Sequence, residues 1–166
     1  TKEPYLLPVD ITGKNIRLGI SLTELYRELA TYPVKGAYVF LDACFSGGYK
    51  SAAPLLAQKG VRVVPKVGLP QGKTLSFSSS SGDQTSSVYH EQGYYTYFLI
   101  KTIKDARGDL SMKDLFERTS AAVKKATAMI GKMQEPQCMV SPTWFGWESL
   151  RLETPVEPAP VAPQGE

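Results

Sequence analysis

The 166-residue chain has one histidine, His90, and two cysteines, Cys44 and Cys138. That scarcity excludes a disulfide framework, although one bridge between the two cysteines stays open. It also argues against a Cys/His metal site, because no second Cys or His lies at ligand spacing from Cys44. No cofactor is expected. No apolar run approaches the roughly 18 residues that a membrane-spanning helix needs, so no membrane segment is expected. The amino-terminal residues do not read as a charged and then apolar leader. Charge of one sign is lacking too: 19 basic residues face 16 acidic ones, a net +3. The basic residues bunched between 101 and 132 sit at helical spacing beside Asp105, Asp109, Asp114 and Glu117. They read as a solvated helix face, and no nucleic-acid partner is expected.

What is present alternates between strand and helix. Pro4 to Asp10 reads as extended, and Ile11 to Gly19 as a loop. Ser21 with Glu24 has capping-box spacing and opens a helix striped by Leu22, Leu25, Tyr26 and Leu29. Ala37 to Ala43 is a short apolar run that reads as a strand buried on both faces. A helix is expected over about Ser51–Lys59, a strand over Val61–Val64, and another over Thr74–Ser78. Helices follow from Glu91 to about Ala106 and from Ser111 to about Ile130, with a last strand at Gln137–Val140. The order implies an α/β layered fold with a mostly parallel central sheet flanked by helices. From Glu153 the proline-rich tail reads as a disordered linker, which suggests further domains beyond the chain ends.

The chemistry concentrates at Val39-Phe40-Leu41-Asp42-Ala43-Cys44-Phe45-Ser46-Gly47-Gly48. An apolar strand runs into a cysteine and a small, glycine-bearing turn. In parallel sheets the site lies beyond the carboxyl ends of the strands, which is where this strand carries Cys44. Two readings of Cys44 stay open on its own residues: a small buried hydrophobe, or a nucleophile. For the nucleophile, a following helix amino end would lower the thiol pKa, and a backbone N–H would face an oxyanion.

These residues resemble the catalytic-cysteine strand of caspase-like cysteine peptidases, the group of caspases, metacaspases and bacterial caspase homologues. Further segments resemble the family in the same order. They are Pro4–Asp10, Ile20–Leu25, Leu75–Ser80 with Gly82–Ser86, and Gly93–Leu99. The resemblance spans about residues 4 to 150, so residues 1–152 are expected to form a partial caspase-like peptidase domain.

It implies peptide-bond hydrolysis through a Cys44 thioester, acting on peptide or protein substrates. It further implies substrate contacts from Asp42, Asp83 and Ser79. Animal caspases carry Gln two residues before the cysteine and accept aspartate, whereas metacaspases carry Asp there and accept Arg or Lys. Asp42 therefore implies a basic P1 residue, the one on the acyl side of the cleaved bond. The structural alternative for Asp42 is a strand-end carboxylate that caps backbone N–H groups, and for Asp83 a local turn bond.

In caspases the base histidine lies about 50 residues upstream of the cysteine. No histidine precedes Cys44. His90 falls where the family has a non-catalytic loop. The chain alone is thus expected to be inactive, with the His-Gly segment upstream. The alternative is a catalytically dead domain that serves as a binding or scaffold module. A thiol acyl hydrolase or transferase is a third reading. Lys66 and Lys73 are candidate self-cleavage points. No calcium loop is evident.

Overall fold

The computed structural model describes residues 3–8, 10, 13–43, 68–80, 88–89 and 92–152. Cys44, Lys66, Asp83, His90, the helix expected over Ser51–Lys59, the strand expected over Val61–Val64 and the tail from Glu153 lie outside the described residues.

A three-stranded sheet organises the rest. Strand β3 (Ala37–Leu41) pairs in parallel with β4 (Thr74–Ser78), and β4 pairs antiparallel with β7 (Gln137–Val140). The central strand β4 is buried at every position. Two short antiparallel ladders flank the sheet: β1 (Tyr5–Leu6) with β2 (Ile20–Ser21), and β5 (Val88–Tyr89) with β6 (Gln92–Gly93).

Strand alternation splits the sheet into two faces. Leu75, Phe77, Cys138 and Val140 turn toward α2 (Tyr94–Asp105) and α3 (Met112–Ala128), joining Tyr94, Tyr95, Met112, Leu115 and Val123 in the main core. Val39, Leu41 and Met139 turn toward α1 (Leu22–Leu29) and pack on Leu22 and Tyr26, both fully buried. On this second face the Tyr26 hydroxyl donates to Ser76 Oγ at 2.7 Å, so the polar side chain of a buried strand is satisfied by the helix above it.

The expected burial of β3 on both faces is not met. Tyr38 and Phe40 keep 36% and 37% of their surface exposed. Among the described residues β3 is an edge strand, and the main core is centred on β4 and β7.

Two other expectations shift. The segment read as a loop between Ile11 and Gly19 contains a 3-10 helix at Gly13–Leu18. The helix expected from Glu91 begins at Tyr94, because Gln92 and Gly93 are taken up in the β5–β6 ladder. No helix among the described residues is long and apolar enough to cross a membrane.

Both serine caps form. Ser21 Oγ accepts from the Glu24 N–H at 3.1 Å, and Ser111 Oγ from the Asp114 N–H at 3.0 Å. Glu24 pairs with Arg27, and a second acceptor at the helix start comes from another segment. Glu3 Oε1 accepts from the Ser21 hydroxyl at 2.7 Å and from the Thr23 N–H at 3.1 Å. These bonds, the serine's above all, lower the Glu3 pKa from its ordinary value.

Candidate functional site

Parallel neighbours β3 and β4 end side by side, with Leu41 opposite Ser78. The ladder runs one step further, since the Ser79 N–H donates to the Leu41 carbonyl at 2.9 Å. The Ser79 hydroxyl then donates to the Ala43 carbonyl at 3.1 Å. From the opposite side, the amide of Gln134 donates to the Ser79 carbonyl at 3.0 Å. Ser79 and Gln134 are 0% and 1% exposed. A buried polar chain therefore holds the backbone at the carboxyl edge of β3, up to the residue before Cys44. The hydroxyl of Ser79, the residue expected to contact substrate, thus bonds the backbone just before Cys44.

Asp42 lies on the same side of β3 as Phe40, toward α2. Its Oδ2 accepts from the Thr96 hydroxyl at 2.6 Å and from the Thr96 N–H at 3.2 Å. Thr96 is the third residue of α2, and its N–H is one of the helix-start donors that lack an intrahelical partner. The N-cap residue, Gly93, has no side chain to supply one. Asp42 takes that role from another element, and its negative charge sits at the positive end of the helix dipole. The capping alternative for Asp42 thus holds. The carboxylate nevertheless remains exposed, and among the described residues its Oδ1 accepts no hydrogen bond.

Gly93 explains how the two elements come so close. A Cβ on Gly93 would collide with Asp42 Oδ2 and lie 2.6 Å from Cγ. The Gly93 backbone, at φ −66° and ψ 143°, suits any residue. Glycine leaves room for the carboxylate where it sits, and backbone conformation makes no demand for it.

The next side chain inward, Tyr95, is 2% exposed. Its phenol pKa is raised strongly, first by burial and then by the charge of Asp42 and by Cys138. Tyr95 is therefore a neutral phenol beneath Asp42. Cys138 is a free thiol on β7, packed against the main core. Burial, with a smaller contribution from the Glu148 carboxylate, pushes its pKa up to about 11. It is a protonated core residue and not a poised nucleophile.

Lys73 closes the expected loop as an exposed residue immediately before β4. Its carbonyl accepts from the Ala37 N–H at 2.8 Å.

The edge described here carries the strand that leads into Cys44, and the wider sequence agrees with it. A family model described as caspase domain, within the peptidases, matches residues 1–143. The chain belongs to the caspase-domain family. No curated protein matches it. Membership makes the α/β architecture that of a caspase-like fold and the function that of a cysteine-type peptidase, with proteins as its substrate class.

Gly93, Thr96 and Gln134 carried no site role in the sequence reading. The stretch Gly93–Leu99 enters there only as a segment that resembles the family. Its contact with Asp42 spans 54 positions, and no local pattern reports a contact of that range.

Proposed function

We propose that the protein is a cysteine endopeptidase that cleaves after Arg or Lys, with Cys44 as nucleophile and Asp42 as the carboxylate that receives the basic P1 side chain. The observation that carries this reading is the exposed Asp42 carboxylate, held through one oxygen at the carboxyl end of β3, two residues before Cys44. A guanidinium or ammonium there gains a charge-assisted hydrogen bond, whereas an acidic P1 is repelled. Asp83, outside the described residues, is assigned a second contact to the same side chain.

In this scheme the Cys44 sulfur attacks the scissile carbonyl carbon, the C–N bond breaks, and the amine leaves with a proton. Water then hydrolyses the thioester to the carboxylic acid and restores the thiol. A base must take the thiol proton and return one to the amine. The only histidine, His90, follows Cys44, so the base is assigned to sequence preceding Thr1. The 166 residues alone are expected to be inactive.

The test is hydrolysis of fluorogenic peptides ending in Arg, Lys or Asp, by the chain alone and by the chain joined to the sequence encoded upstream. Cleavage after Arg and Lys by the longer form, abolished by Cys44→Ala, is the expected result. Cleavage after Asp alone, or activity that survives Cys44→Ala, overturns the proposal.

A second reading has one observation in its favour, the lack of any histidine before Cys44. It makes the domain a non-catalytic binding module. No His-Gly pair in the upstream sequence and no hydrolysis by the longer form would select it.

A further inference from the structure

We propose that Thr96 is a positioning residue for P1 recognition. It anchors one oxygen of Asp42 so that the other is presented to a basic side chain, and Gly93 provides the space in which this happens. The inference rests on the reading of Asp42 as the P1 carboxylate and assigns that role's geometry to α2.

An aspartate at the exposed end of a strand can rotate about both side-chain torsions, and an incoming cation would have to order it. Here two donors of one residue converge on a single oxygen, the Thr96 hydroxyl at 2.6 Å and the Thr96 N–H at 3.2 Å. Two bonds to Oδ2 restrain the carboxylate, and among the described residues they leave Oδ1 without a hydrogen bond. A guanidinium or ammonium that approaches Oδ1 then meets an acceptor already ordered, which removes part of the entropic cost of binding. The anchor is neutral, so it orders the charge without cancelling it; a lysine or arginine in its place would compete with the substrate. Gly93 completes the arrangement, since a Cβ there would lie within 3 Å of all three carboxylate atoms.

The experiment uses the full 166-residue chain and measures binding, so it does not depend on catalysis. Dissociation constants are determined by NMR titration for two tetrapeptide amides that differ only at the last residue, arginine or its uncharged isostere citrulline. The ratio of the two constants reports the Asp42 charge.

In the unmodified chain the arginine peptide is expected to bind more tightly, and Asp42→Asn to bring the ratio near one. Thr96→Val keeps the shape and the backbone N–H and removes only the hydroxyl. It is expected to lower the ratio about three- to tenfold, the scale of ordering one side chain. Thr96→Ser restores the hydroxyl and is expected to restore the ratio. Gly93→Ala, which must move the carboxylate, is expected to lower the ratio while Thr96 is intact, and it serves as the independent variant if Thr96→Val does not fold.

A ratio unchanged in both Thr96→Val and Gly93→Ala, while Asp42→Asn abolishes it, overturns the positioning role and leaves the Asp42 reading standing. An equal loss of affinity for both peptides marks Thr96 as merely structural and overturns the proposal as well. A ratio near one in the unmodified chain, a ratio unmoved by Asp42→Asn, or no binding of either peptide overturns the Asp42 reading itself.

Discussion

Replacing Gly93 by alanine gives a sharp test of the contact between β3 and α2. At φ −66° the new residue meets no backbone strain. Alanine is a poorer N-cap than glycine by up to about 1 kcal/mol, but it also restricts the unfolded chain, which returns about 0.4–1 kcal/mol. Those two effects roughly cancel. What remains is the clash of the new carbon with Asp42 Oδ2, with Oδ1 also at 2.8 Å. The carboxylate has to leave. Its departure removes two charge-assisted bonds to Thr96, which in this exposed setting contribute toward the low end of about 1.5–3 kcal/mol. It also removes an anion from the start of α2, at about 0.3–1 kcal/mol. The expected cost is about 2 kcal/mol, or a melting temperature lower by about 4–8 °C for a chain of this size. Urea unfolding followed by circular dichroism would measure it. The decisive comparison is a double-mutant cycle with Asp42→Ala, which deletes the clashing group: there Gly93→Ala should cost less than about 0.5 kcal/mol. An equal cost in both backgrounds would refute the argument, because the glycine would then be needed for a reason unrelated to Asp42.

Other expectations concern the strand-end backbone, the second core and the free thiol. Ser79→Ala removes the bond to the Ala43 carbonyl and should destabilise by about 1 kcal/mol, while Gln134→Leu removes a buried donor and should cost about 1–3 kcal/mol; equilibrium unfolding checks both. Tyr26→Phe should cost about 1–2 kcal/mol through the partner left behind on Ser76, and adding Ser76→Ala should recover part of it, since both ends of the bond are then gone. Cys138, with its pKa near 11, should have only roughly one thiol in a thousand ionised at pH 8, so iodoacetamide labelling at this site, read by mass spectrometry, should speed up about tenfold per pH unit up to about pH 11. The same raised pKa has a stability consequence: the unfolded thiol ionises near pH 8.5, so stability is retained below that value and declines as pH rises toward 11. Cys138→Ala should remove that part of the decline.

The elements that local chemistry dictates were legible before any fold was seen. Ser21 caps α1 as its spacing implied, and Ser111 caps α3 where that helix was expected to open, because a capping bond needs only residues three apart. Strands β3, β4 and β7 appear where short apolar or β-favouring runs placed them. Helix α2 starts at Tyr94, three residues after the expected Glu91. Glu91 and Gln92 are ordinary helix residues, and only Gly93 disfavours one; the ladder that claims Gln92 and Gly93 forms with Val88 and Tyr89.

The candidate site divides along the same line. By itself, the sequence determined that an apolar strand leads through Asp42 toward Cys44, that the chain resembles caspase-like peptidases, and that no histidine precedes the cysteine. Those are properties of composition and order along the chain. Only the tertiary structure decided what Asp42 touches. The pairing of a strand-end carboxylate with a helix that begins 52 positions later depends on how α2 packs on the sheet, and on a glycine whose missing side chain makes room. Glu3 at α1 follows the same logic, with an acid from a distant segment supplying the acceptor that the helix start needs. Orphan N–H groups at a helix start must find a partner. Which residue answers is a matter of three-dimensional proximity, and that is where local sequence stops being informative.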